Sequence, residues 1–381
     1  MKLRRRALVG LVSIVPAVSV LAALELSLRL AHLPRVEPGG WKAGPEVAAA
    51  ERNQLGYRGR PIRYAQGDFV VVLLGDSQVE GEACRFDEMP ERRLELHLGG
   101  GGRPVRVFTL GASGYGQDQE LVALREYFRY GYRADVVALW ETPENDVWNN
   151  LFPTNWPADG TPKPTFRLER GVLAGPVDAR GADRSGLRLV ALLGSALRPS
   201  RDAAWERRLP EPYRPQERYS GPASALWQRR WDARAGSMRE ENLATEKSHL
   251  AIRLTPASPR MSYGLDLTRA LLGAIDGLVR ARGGRFLVFY RDYPGHWTVN
   301  ATASGDEVYV LNGKYYRTSN RQYVENVRTM NRGLESCFVP VSVRDWHAGS
   351  LDPHLSPAAV DQVMRDLARA LAPPRPASGQ N

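Results

Sequence analysis

"FVVVLLGDSQVEG", residues 69–81, decides the fold: six apolar positions run unbroken into Gly-Asp-Ser. A valine-rich run of strand length, closed by glycine, is what a strand buried on both faces requires, and such strands belong to parallel sheets. Side chains at the carboxyl end of that strand face the crevice in which open α/β sheets hold ligands. Ser77 therefore stands where a nucleophile, an anion-holding turn residue or a helix N-cap would each fit.

Four further apolar runs of the same kind follow, at 105–110, 135–140, 285–291 and 338–343. Segments with apolar spacing near three and four lie between and after them, at 88–98, 118–130, 265–282, 320–336 and 357–371. That spacing predicts helices. Alternation of strand and helix predicts an α/β fold, a three-layer α/β/α sandwich around a five-stranded parallel sheet. The third strand is separated from its helix by residues 149–264, rich in Arg, Pro and Trp and weak in periodicity, which read as an insertion. Its tryptophans Trp156, Trp205, Trp227 and Trp231 suit either local packing or stacking on sugar rings.

The chain has 381 residues, 43% hydrophobic and 25% charged, enough for one large core. Two cysteines, Cys84 and Cys337, exclude a disulfide framework but permit one bridge. Of the net charge of +10, Lys2, Arg4, Arg5, Arg6 and Arg29 against Glu25 supply +4. The remaining +6 is spread too thinly to argue for nucleic acid. Behind the basic start, residues 7–24 carry no charge and as a helix would cover about 27 Å of hydrocarbon. Residues 1–30 are accordingly expected to be an export signal or, preferably, an uncleaved single-pass anchor, with the rest of the chain on the outer, periplasmic or extracellular side. A Pro/Gly-rich linker (31–52) then leads to the main domain (53–372), and residues 373–381 have a disordered composition.

The loops beyond the strand ends carry the chemistry. After the first strand comes Ser77, after the second "TLGASGYGQ", after the third "ETPENDVW", and after the last "DWHAGSLDPHLS". An acyl-transfer site needs a hydroxyl nucleophile, a base near neutral pKa, a carboxylate to orient that base and donors for an oxyanion. Ser77, His354, Asp352 and the N–H groups of Ser77 and Gly114 with the Asn145 amide supply that set. Asp345 with His347 repeats the Asp-x-His spacing upstream and is a rival pair, and Gly111 is the second choice for the glycine donor.

These blocks resemble the SGNH hydrolases, the GDSL-like esterase and lipase superfamily, over residues 53–371 without the insertion. "NQLGYRG" is similar to the lead-in of many bacterial members, "GDSQVEG" to the nucleophile block, "LGASGYG" to the glycine block and "END" to Gly-Asn-Asp with Glu144 in place of the glycine. The last block departs from the usual Asp-x-x-His, reading "DPH". The resemblance implies a flavodoxin-like domain, a catalytic Ser77–His354–Asp352 set, an oxyanion hole of Ser77, Gly114 and Asn145, no cofactor and no metal. It implies hydrolysis of an acyl ester, such as an O-acetyl group on a small molecule or glycan. Alternatives are an O-acyltransferase acting on an envelope polysaccharide with the same residues, and a non-catalytic glycan-binding module. Phosphate binding at the Gly-Asp-Ser turn is a further possibility that no Walker or Rossmann pattern supports.

Overall fold

The computed structural model describes residues 16, 18–30, 42, 47–99, 102–151, 154–155, 161–177, 189, 227–230, 251–257, 259–292, 307–311, 314–349 and 352–371. Its centre is a five-stranded parallel sheet built from β1 (Phe69–Gly75), β2 (Val105–Gly111), β3 (Val136–Glu141), β4 (Arg285–Asp292) and β5 (Ser336–Pro340), in the order β5-β4-β3-β1-β2. β1 lies between β2 and β3, which explains its unbroken apolar sequence: residues 70–74 are fully buried. Val70, Val72 and Leu74 enter one core and Val71 and Leu73 the other, as the period of two requires. Each of these side chains contributes about 1.5–3 kcal/mol by leaving water.

One core packs the sheet against α2 (Pro90–Leu98) and α7 (Pro357–Leu371), through residues such as Leu94, Val363 and Leu367. The opposite core packs it against α3 (Gln117–Arg129), α5 (Pro259–Arg280) and α6 (Asn320–Met330). Two short helices stand at the carboxyl ends of strands: α1 (Ser77–Glu80) after β1 and α4 (Pro143–Leu151) after β3. Register brings those ends together, with Gly75 opposite Gly111 and Leu74 opposite Leu139.

Several boundaries differ from the sequence expectation. The last strand ends at Pro340 rather than at 343, because proline has no N–H to continue the ladder. α6 stops at Met330 rather than 336, since the Asn331 side chain turns back onto the Val327 carbonyl at 3.1 Å. The expected insertion 149–264 loses both its edges to helix. α4 runs to Leu151, and α5 begins at Pro259, a residue suited to the first turn. Between them, Thr165–Glu169 and Val172–Val177 form an antiparallel hairpin. The antiparallel strands Glu307–Leu311 and Lys314–Thr318 precede α6, the first also paired in parallel with Trp227–Arg230. Trp156, Trp205 and Trp231 lie outside the described residues, as does the Trp227 side chain. Cys84 and Cys337 are free thiols, each pushed up to about 11 chiefly by burial.

Among the described residues no helix is long and apolar enough to cross a membrane. Residues 1–15 and 17, more than half of the expected span, lie outside that description. Of the rest, 18–30 are helical.

Candidate active site

The site begins with the turn out of β1. Asp76 caps α1, its Oδ1 accepting from the Gln78 N–H at 2.9 Å. This cap places Ser77 at the first helical position, with its side chain at the carboxyl edge of the sheet. Gly81 ends the helix at φ +65°, a left-handed cap that side chains rarely adopt.

The imidazole comes from the other end of the chain. After β5, a small antiparallel hairpin of β6 (His347–Gly349) and β7 (Asp352–Leu355) precedes α7. Its return strand carries His354, whose Nε2 lies 2.8 Å from Ser77 Oγ. The Leu355 N–H donates to Gln78 Oε1 at 3.3 Å, so α1 also holds the backbone beside the histidine. His347 pairs with Leu355 across the hairpin and is exposed, with its ring against Trp346. Asp345 is exposed as well, so the structure brings His354, and not the rival pair, to Ser77. Asp352 faces Gly349 in the hairpin ladder, and its side chain lies outside the described part of the structure.

The glycine block follows β2. Gly114 turns at φ +73°, a conformation that strains any other residue, and among the described residues its N–H has no acceptor. Gly111 instead lies within β2, where an added Cβ would come 2.8 Å from the Gly75 carbonyl oxygen. It serves close packing, not donation. Glu80, in α1, accepts from the Ser113 N–H at 2.7 Å and thereby fixes the Gly114 turn relative to Ser77.

Asn145 occupies the first turn of α4 and donates from Nδ2 to Asp76 Oδ2 at 2.9 Å. An amide carries two hydrogens on that nitrogen, so one is left for a second acceptor. Asp76 thus joins α1 to the asparagine by its two oxygens.

A buried polar frame holds these loops from below. Gln117 Nε2 donates to Asp146 Oδ2 at 2.7 Å, Asn150 Nδ2 donates to Gln117 Oε1 at 2.6 Å and to Thr268 Oγ1 at 2.9 Å, and Asn149 Nδ2 donates to the Tyr115 carbonyl at 3.3 Å. These bonds lock α3, α4 and α5 together. Lys163 pairs with Asp118, both fully buried, which fastens the start of the inserted segment to α3. Burial pushes Asp118 up and Lys163 down, against the pull of their mutual attraction. Glu120 is fully buried, neither of its oxygens has a partner among the described residues, and burial with the nearby Asp76, Asp118 and Glu141 holds it well above the carboxylate range. Glu141, at the end of β3, accepts from Asn331 Nδ2 at 2.7 Å and is raised by burial to about 8.

Arg58 stands in the lead-in block "NQLGYRG". Its Nη1 donates to the Gly81 carbonyl at 2.6 Å and its Nη2 to the Cys84 carbonyl at 2.9 Å, so it clamps the loop behind α1. Asn53 anchors the same lead-in to β2 through the Thr109 carbonyl at 3.0 Å. Gln78, Glu80 and Arg58 act on backbone groups distant in sequence, and no local spacing marks them. Among the described residues no group of three or more His, Cys, Asp or Glu could hold a metal ion. The geometry sets a hydroxyl against an imidazole, with Asn145 tied through Asp76 to the same helix. No family model matches the chain, and no curated protein matches it significantly.

Proposed function

We propose that the protein is a serine esterase of the SGNH type that cleaves an acyl ester through an acyl-enzyme. The observation that carries this reading is the 2.8 Å contact between Ser77 Oγ and His354 Nε2 at the carboxyl edge of the sheet, beside Gly114 and Asn145. In the proposed reaction Nε2 takes the Ser77 proton as Oγ bonds to the acyl carbon. The N–H groups of Ser77 and Gly114 and the free hydrogen of the Asn145 amide receive the oxyanion. On collapse the acyl C–O bond breaks, and Nε2 returns the proton to the departing alcohol oxygen. Water then repeats the sequence on the acyl-enzyme and releases the acid. Asp352 is assigned the orientation of His354 by its place in the block. The acyl donor is proposed to be an O-acetylated small molecule or glycan of the cell envelope.

The same proposal places the chain on the outer side of the membrane, held by residues 1–30. The exposed apolar side chains Val18, Val20, Leu21, Leu24, Leu26 and Leu30 on the described part of that helix support an anchor. Their solvation in lipid would remove a patch that water disfavours.

A fluorophosphonate probe and a short-chain aryl ester test the reaction. Wild-type protein is expected to be labelled and to turn over. Ser77→Ala loses both, and His354→Ala loses about 10³–10⁴ in turnover. Undiminished turnover in Ser77→Ala would remove the reading. Product analysis with an added sugar hydroxyl separates hydrolysis from transfer.

A further inference from the structure

One carboxylate beside the site has no part in the reaction as proposed. Glu82 lies on the loop behind α1, its N–H donating to the Ser77 carbonyl at 3.2 Å. Its Oε2 is 3.5 Å from His354 Nε2, and its side chain is 50% exposed. That nitrogen is the one facing Ser77 Oγ, so Glu82 stands on the proton-transfer side of the imidazole.

Three arginines have carbonyl or acidic groups of their own to face. Arg58 spends its guanidinium on the Gly81 and Cys84 carbonyls and on Glu51, at 3.3 Å. Arg253 lies 3.6 Å from Glu144 and over the Tyr323 ring. Arg291 is attracted electrostatically by Asp76 and Glu144. The chain as a whole carries +10, yet the charge next to the reacting nitrogen is negative and half in water.

Resting on the esterase reading, we propose that Glu82 sets a charge preference on the leaving alcohol: the site takes esters of neutral or cationic alcohols and rejects those bearing a carboxylate, phosphate or sulfate near the ester oxygen. When the acyl C–O bond breaks, His354 Nε2 delivers the proton taken from Ser77 to the alkoxide oxygen. That oxygen must then lie within hydrogen-bond reach of Nε2, which places substituents on the adjacent carbons within several ångströms of the Glu82 carboxylate. At such separations, and with the screening of a half-exposed group, two like charges differ from two opposite ones by about tenfold or more in binding. Salt weakens the effect, since the pair is open to solvent.

The test compares kcat/KM for three acetate esters matched in size, with a quaternary ammonium, a neutral and a carboxylate substituent on the alcohol. Wild type, Glu82→Gln and Glu82→Lys are measured at low and high salt, and fluorophosphonate labelling counts competent sites. The wild type is expected to favour the cationic over the anionic ester by about tenfold or more at low salt. Glu82→Gln brings the ratio near one, Glu82→Lys inverts it, and high salt compresses the wild-type ratio. An unchanged ratio in both variants, or a wild-type preference for the anionic ester, overturns the assignment. Absence of Ser77-dependent turnover on all three esters would instead overturn the esterase reading.

Discussion

Asn145 divides one amide between two tasks. One hydrogen of Nδ2 is held by Asp76, and the other is the donor proposed for the oxyanion. Asn145→Ala is therefore expected to lower kcat by about 10²–10³ with little change in KM, as loss of a preorganised oxyanion donor does. A rise in KM alone would mean that Asn145 binds substrate without serving the transition state. Gly114→Ala strains the turn at φ +73° and displaces its N–H, so it should lower kcat as well. His347→Ala should be close to neutral, since that ring is exposed on the hairpin away from Ser77. Ser77, Gly114 and Asn145 could be picked out because each sits in a short pattern just after a sheet strand, and His354 because its block leads into the last helix. Glu82 was not, because its position depends on a hairpin 272 residues further on delivering His354 to the same spot, as the sequence numbers of the two residues show.

At the scale of elements, α1 is too short to hold itself. Four residues make barely one turn, so its geometry is imposed by the Asp76 cap in front, the Gly81 cap behind and the Arg58 clamp on the following loop. Arg58→Met is expected to cost about 2–3 kcal/mol in urea unfolding, because charged hydrogen bonds to buried carbonyls are lost together. Arg58→Lys should recover little, since a point charge cannot span two acceptors as a planar fork does. Full recovery by lysine would show that charge alone matters there. Four of the five sheet strands were read from sequence to within one residue, because burial leaves an unbroken apolar run, whereas the half-buried edge strand Ser336–Pro340 was displaced by two residues at its start and three at its end. α4 was missed, although Thr142-Pro143 is a helix-start signal and the Asp146 side chain accepts from the Thr142 N–H at 2.9 Å. Its polar residues Asn149 and Asn150 are buried to serve the frame beneath the site, so the apolar periodicity that marks a helix is thin there.

Over the whole molecule, the placement of carboxyls inside the fold sets its response to pH. Glu141 binds its proton in the folded state up to about pH 8, whereas an unfolded chain releases it near the ordinary carboxylate value. Its contribution is complete below that ordinary value and is lost as pH rises toward 8. Glu141→Gln keeps an acceptor for Asn331 and removes the titration. The melting temperature of this variant relative to wild type should therefore rise steadily between about pH 5 and 8. A constant difference would show that Glu141 is ionised in the fold. Glu335, held low by its hydrogen bond from Arg285, works in the opposite sense only in the more acidic range. The proposed anchor is tested by fractionation: the full chain should leave membranes with detergent and not with high salt. An alkaline-phosphatase fusion after Leu371 should be active, and an inactive fusion would reverse the orientation. Soluble protein beginning near Leu24 would show cleavage. The sheet and its helical layers were legible because burial writes itself into sequence, whereas the inserted segment follows no period. The separation of Ser77 from His354 by 277 positions has a consequence in time. Ser77 leaves the ribosome early and His354 only when the last edge strand and hairpin are made, so on the proposed reading a nascent or truncated chain lacks the pair and the first turnover would certify a finished molecule.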